Sequence, residues 1–258
     1  MKNFFLGTLL ILSVSSQAQW VDSSKNAITI SYDYNHFQRQ FATDWHIGSV
    51  EYKRKLNQGA VLGRLNYGNR LQQSGWQGEL EAYPIISKKM YAYTGIGFSD
   101  NMPVFPKWRT GASLYLALPK AWEVEGGFRY LYFTESVWLG TAGISKYVGN
   151  WLFNAHTYFG FQNLSNNQSL FASARRYFNN GIDYAWLQAG SGISPDESRS
   201  IQLGNLYSLS SKSVGIGTNL SVAKRTQLKL SAGWFRNEYR KGLHDNQLNT
   251  TIGISQQF

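Results

Sequence analysis

The chain contains no cysteine. Disulfide staples, thiol catalysis and cysteine-ligated zinc are therefore excluded. Proline is scarce, at five residues, and no Pro- or Ser-rich linker, low-complexity tract or repeat of 20 to 50 residues divides the sequence, so it reads as one domain. Beyond the first twenty or so residues, no apolar run approaches the roughly 18 to 20 residues that a helical membrane span needs. The four histidines, His36, His46, His156 and His244, fall in separate segments without the spacing of a metal site, and neither a metal nor another cofactor is expected.

What is present is an unusual mixture. Aromatic residues make up 16% (9 Trp, 16 Tyr, 15 Phe) beside 25 Gly, yet the mean hydropathy is only -0.34. Large apolar side chains alternating with polar ones give the dilute hydrophobicity of a transmembrane β-barrel. The formal charge of +10 comes from 25 Lys+Arg against 15 Asp+Glu. These bases are scattered singly rather than gathered into an arm or patch, which argues against nucleic acid and for a surface meeting the anionic phosphates of lipopolysaccharide and outer-membrane lipids.

The start, MKNFFLGTLLILSVSSQAQW, has the form of a secretory signal peptide. Lys2 supplies the positive charge, Phe4 to Val14 the short apolar core, and Ser16-Gln17-Ala18 the small-residue cleavage site. The expected division is a signal peptide over 1–18 and an outer-membrane barrel over 19–258.

The last thirteen residues, NQLNTTIGISQQF, carry the organising pattern. Leu248, Thr250, Ile252, Ile254 and Gln256 share one strand face, while Gln247, Asn249, Thr251, Gly253, Ser255 and Gln257 share the other. One face suits hydrocarbon and the other water. A closed membrane barrel must pair its last strand with its first, because lipid leaves no partner for a free edge. The ending is also similar to the assembly signal of outer-membrane barrels, read at Thr251, Gly253 and the terminal Phe258; Gln256 departs from it, an apolar residue being usual there. Recognition by the barrel-assembly machinery follows as an expectation.

Period-two alternation bounded by turn residues divides the mature chain into fourteen segments, the first near 27–37 and the last near 247–258. Twelve strands result if two segments are folded-over loop. Alternate joins are short (LNQG, IISKK, PK, VGN, NNG, AKRT) and the intervening ones longer (RQFATD, RLQQS, DNMPVFP, TES, NLSNN, GISPDESRSIQLGNLY, KGLHDN). Short periplasmic turns and longer outer loops place both termini in the periplasm. Trp45, Trp76, Trp108, Trp122, Trp138 and Trp151 lie near strand ends, at the level of the lipid headgroups.

Charge at mid-depth must face away from lipid, where an exposed Arg or Lys costs about 2 to 4 kcal/mol. The candidate lumen set is therefore Arg64, Glu79, Glu81, Arg109, Glu123, Glu125, Arg129 and Lys229, with Arg175 or Arg176 and Asp183 beside them. Its near balance of acids and bases fits either a selective constriction or a neutralised plug. His156 lies on the polar face of NWLFNAHTYFG, where a Ser partner would make a hydrolase, but no GxSxG supports one. Glu79 with Glu81, and Glu123 with Glu125, have the default two-residue spacing of one strand face rather than that of a glycosidase pair. In the long outer loop, 193–207, Pro195, Asp196, Glu197 and Arg199 suit a solvated turn or a divalent cation bridging lipid phosphates. RRYF and YRKGLH are expected to add positive charge near the outer rim.

ELEAYP (79–84), MYAYTGIGFSD (90–100), FPKWRTGASLYLALP (105–119), EGGFRYLYF (125–133), ARRYF (174–178) and GSGISPDE (190–197), in this order and spacing, resemble the YaiO family of outer-membrane β-barrels. The resemblance spans the mature chain and implies a barrel but transfers no catalytic residue. Relatives with tetratricopeptide or glycosyltransferase-like regions before the barrel imply a connection with polysaccharide, for which this chain would need periplasmic polysaccharide-handling partners. The reading is a non-enzymatic channel or export conduit for saccharide or polysaccharide. A lipid-modifying enzyme and a closed structural or surface-binding barrel stay open as alternatives.

Overall fold

The computed structural model describes residues 24–102, 104–161, 168–178, 181–192, 211–240 and 242–258. Fourteen antiparallel strands close into one barrel in simple sequence order. They are β1 (Asn26–Phe37), β2 (Trp45–Leu56), β3 (Gly59–Arg70), β4 (Gln73–Ser87), β5 (Met90–Ser99), β6 (Trp108–Leu118) and β7 (Trp122–Tyr132). There follow β8 (Ser136–Val148), β9 (Trp151–Gly160), β10 (Gln168–Tyr177), β11 (Tyr184–Ser191), β12 (Ser211–Ala223), β13 (Thr226–Arg240) and β14 (Leu243–Gln257). The expected signal peptide and the loop 193–207 lie outside the described residues.

The alternation read from the sequence becomes the two sides of the wall. Every strand contributes an exposed large apolar side chain, from Ile30 on β1 to Ile252 on β14, with Leu80 exposed by 63%. A soluble domain would bury such a belt; around a closed barrel it meets hydrocarbon. Cross-strand aromatic pairs mark one edge of the belt, Tyr67 with Trp76, Phe98 with Trp108 and Tyr130 with Trp138, at 4.6 to 4.8 Å between ring centroids. Trp122 and Trp151 mark the other edge. Eight residues of β7 separate Trp122 from Tyr130, about 26 Å along a strand and about 20 Å along the axis once tilted.

Closure follows the expected register. Ile28 pairs with Gln256 and Ile30 with Ile254. The backbones of Asn26 and Phe258 exchange hydrogen bonds at 3.0 and 3.1 Å, leaving no open edge at the seam. Thr251, Gly253 and Ser255 face the bore.

The joins at the end carrying the termini are short, as at 57–58 and 149–150. Two joins expected to be longer at the opposite end are tight as well. β13 and β14 extend to Arg240 and Leu243, so most of KGLHDN is strand rather than loop. The β3–β4 join is only Leu71 and Gln72, both with positive φ (53° and 60°). Such a turn normally takes Asn or Gly; here Leu71 is held by packing against Phe37 and Trp45.

Candidate functional site: a filled half-lumen and an open wall

The inward side chains of β2 to β9 knit together in rows set by strand register. Glu51, Arg64, Glu79, Gly97 and Arg109 lie side by side on five consecutive strands. Arg64 donates to Glu51 at 2.8 Å and to Glu79 at 3.0 Å, and stands 3.6 Å from Glu81. Arg109 reaches Glu79 at 2.8 Å by lying across the glycine between them. A Cβ at Gly97 would stand 2.8 Å from Arg109 Cγ and 3.3 Å from Glu79 Cγ, so the glycine makes the room for this pair.

The same device recurs one turn of the wall further on. Glu125 and His156 flank Gly143 and meet at 3.2 Å across it. Arg129 donates to Ser113 at 2.9 Å, stacks over Tyr93 at 4.8 Å and lies over Gly111. Glu81 accepts from Tyr83 at 2.6 Å. Asn66 adds a donor to Glu79 at 2.9 Å. Charge here is paired, hydrogen-bonded and packed across this side of the bore, a filling rather than a bare constriction.

His156 also meets the Thr141 hydroxyl at 2.5 Å. Hydroxyl, imidazole and carboxylate in this order are the arrangement of an activated nucleophile. Thr141, however, is only 2% exposed, and it does not line the larger lumen cavity described below.

At the end opposite the termini the bore is capped by apolar side chains, a feature without a counterpart in the sequence reading. The β5–β6 connection folds inward, burying Val104 and Phe105 against Ile47. Its Met102 packs against Leu131, Phe133, Val137 and Leu139. Phe41 and Leu71 cover Phe37 and Trp45. Arg70 is fully buried among these groups, donating to the Val104 carbonyl at 3.3 Å with its guanidinium over Trp45 and Phe105. On the outside of the same rim, Asp44 takes hydrogen bonds from Tyr34 and His36. Desolvation works to raise the Asp44 carboxyl, but these bonds and one from the Phe37 amide outweigh it and hold it below the usual carboxylate range.

The wall from β9 to β1 is different. Its inward positions include Gly190, Gly215, Gly217, Gly233 and Gly253, with Ser and Asn between them. Two cavities lie against it, the larger enclosed on its other side by β5 to β8. A cavity of ≈ 440 Å³ in the half nearer the termini is lined by Tyr91, Tyr115, Glu123, Glu125, Ser145, Leu152, Asn154, Ser173, Arg175, Trp186 and Gln188. A second, of ≈ 270 Å³, continues toward the other end past Asp33, Ser213, Phe235 and Asn249. Both share Trp186 and Gln188, which makes them two chambers of one path.

The structure thus brings Arg64, Glu79, Glu81, Arg109, Glu125 and Arg129 into the filled half, while Glu123 lines the larger cavity with one oxygen unpartnered. Lys229 stands apart on β13, and among the described residues it forms no ion pair. Of the basic pair on β10, Arg175 faces the bore, whereas Arg176 points outward over the Trp151 ring. RRYF lies at the end carrying the termini, not at the opposite rim, because β10 runs toward that end. Asp183 accepts from the Ser221 amide and hydroxyl at 2.7 Å, fixing a turn. Trp45 is no headgroup anchor: it points inward and is 3% exposed, because loop side chains cover it beyond the apolar belt. Among the described residues no cluster of His, Asp and Glu is arranged to hold a metal.

A closed antiparallel barrel with a continuous apolar belt and a polar, partly filled lumen is an integral outer-membrane β-barrel. The chain belongs to the family of the YaiO membrane beta barrel domain, whose model matches residues 25–197. No curated protein matches the sequence. Among solved structures the chain is similar in fold to the Acinetobacter baumannii outer membrane protein Omp33, at 8% identity over 92% of this chain and 100% of that one, with a TM-score of 0.54. It is likewise similar to a bacterial polysaccharide outer membrane secretin (7% identity, 91% and 99% covered, TM-score 0.55). A third is the CymD monoaromatic hydrocarbon channel (8% identity, 91% and 89% covered, TM-score 0.53).

Proposed function

We propose that the barrel is a channel or export conduit that carries a saccharide or polysaccharide across the outer membrane along the open wall. The observation that supports this most directly is the pair of chambers joined at Trp186 and Gln188. The larger has a volume within the range of about 300 to 1,000 Å³ typical of ligand sites. The solved barrels of similar fold include a polysaccharide secretin and a hydrocarbon channel. The lining favours the first: Asn154, Arg175 and Gln188 would lose hydrogen bonds to water and gain none from a hydrocarbon.

In this reading the charged set other than Glu123 and Lys229 is a plug that holds one half of the lumen shut and leaves the other half for transport. The termini face the periplasm, where a saccharide-handling partner would deliver the chain, and lipopolysaccharide surrounds the opposite rim. Assembly proceeds through the barrel-assembly machinery, which reads Thr251, Gly253 and Phe258. An enzymatic role is disfavoured by the burial of the Thr141 hydroxyl.

Purified, folded protein in a planar bilayer is expected to pass current. Absence of current would remove the conduit and leave the closed structural barrel; lipid hydrolysis by the same preparation would instead restore the enzyme.

A further inference from the structure

Trp186 is laid flat against the wall. A Cβ at Gly217 would stand 2.6 Å from its indole atoms Cε2, Cζ2 and Nε1, and one at Gly215 3.4 Å from Cζ3. The two glycines let one face of the ring cover the β12 backbone. The ring's other side borders both chambers.

In the larger chamber stand polar groups with capacity to spare. Glu123 is 3% exposed, and its Oε2 is buried with no hydrogen-bond partner, while Oε1 accepts from Tyr91 at 3.3 Å. Tyr91 is fixed by stacking on Tyr115 at 4.4 Å and 1°. Arg175 pairs in register with Trp186. Its guanidinium sits 4.5 Å over the Tyr184 ring and donates to Tyr177 at 3.3 Å, but it forms no ion pair among the described residues. A buried carboxylate oxygen left empty is costly unless something supplies a donor.

We propose that this chamber is a binding station for one pyranose unit of a neutral saccharide, with the Trp186 ring as platform for the C–H face of the sugar, Glu123 Oε2 accepting from a hydroxyl, and Arg175 and Gln188 donating to others. The inference rests on the conduit reading and specifies its substrate class. A hydrocarbon would leave Glu123 and Arg175 unsatisfied. An anionic sugar would meet the carboxylates of Glu123 and Glu125 together, the second of which already has His156 and Arg129 as partners. Hydroxyls, which both donate and accept, satisfy the carboxylate and the guanidinium at once.

The test uses maltohexaose and cellohexaose as neutral probes, with the full barrel folded in detergent. Calorimetric titration is expected to show binding of at least one of them. In bilayers the same sugar should interrupt the current. Trp186→Ala should weaken both effects about three- to tenfold, the range set by loss of one aromatic contact. Trp186→Phe, which keeps a ring and thus guards against misfolding, should fall between. Glu123→Gln should weaken binding as well. Binding of neither sugar, or binding unchanged in Trp186→Ala, overturns the station even if the protein conducts. Binding without current sustains the station and removes the conduit.

Discussion

Arg64 and Glu79 stand directly opposite one another on β3 and β4, and their side chains meet at 3.0 Å inside the bore. Glu51 stands opposite Arg64 on its other side, so one guanidinium neutralises two carboxylates on adjoining strands. Replacement of Arg64 by Met leaves Glu51 in the filled half-lumen without its cation and Glu79 with Arg109 alone. The expected loss is about 3 kcal/mol, the cost of breaking a buried pair from one side. Urea unfolding from lipid vesicles measures it, and a loss below about 1 kcal/mol would mean that water, not Arg64, balances these acids.

Gly97 is the saddle over which Arg109 reaches Glu79. Gly97→Ala is expected to displace the Arg109 stem and destabilise the barrel by about 1 to 3 kcal/mol. Much of that effect should vanish when Arg109 is already Ala. Additivity of the two substitutions in a double-mutant cycle would show that the glycine serves something other than this pair.

On the outer wall, Leu80 lies midway along β4 and is the most exposed of the large apolar side chains. Leu80→Arg should cost about 2 to 4 kcal/mol in lipid, and Ser87→Arg at the strand's end about 0 to 1 kcal/mol. Equal costs for the two would contradict the depth assigned to the belt.

The natural absence of cysteine makes orientation easy to probe. Arg39→Cys, in the β1–β2 connection, should react with a membrane-impermeant maleimide on intact cells. Gln58→Cys, in the β2–β3 turn, should react only after the outer membrane is permeabilised. The opposite pattern would invert the barrel.

The wall of this barrel was legible from residue alternation, because lipid outside and polar side chains inside impose a period of two on every strand. The fourteen segments and the pairing of Ile30 with Ile254 follow from that constraint. So do the inward positions of Arg64, Glu79 and Arg129. The interior beyond the belt was not legible. Trp45 and Val104 are as apolar as a lipid-facing residue, and only the fold of the loops decides that they point into the bore. Pairs such as Glu125 with His156 join strands that are not neighbours, and the signal for them was an inward glycine on the strand between, at Gly143. The Trp186 platform depends likewise on Gly215 and Gly217, two residues that carry no chemistry of their own.

The uneven filling of the lumen separates two properties that most proteins keep entangled. Rigidity resides in the ion pairs and apolar cap of one half and in the ladder Ser211–Asn237–Gln247–Asn35 of the other, and open space in the inward glycines and small side chains between them. Substitutions on β11 to β14 that spare this ladder and the glycines under Trp186 should therefore alter the lining at small cost to folding, as distant sites act nearly independently. The barrel is a fixed frame with an exchangeable lining, and related sequences should diverge faster along that lining than along the Glu51–Arg109 row.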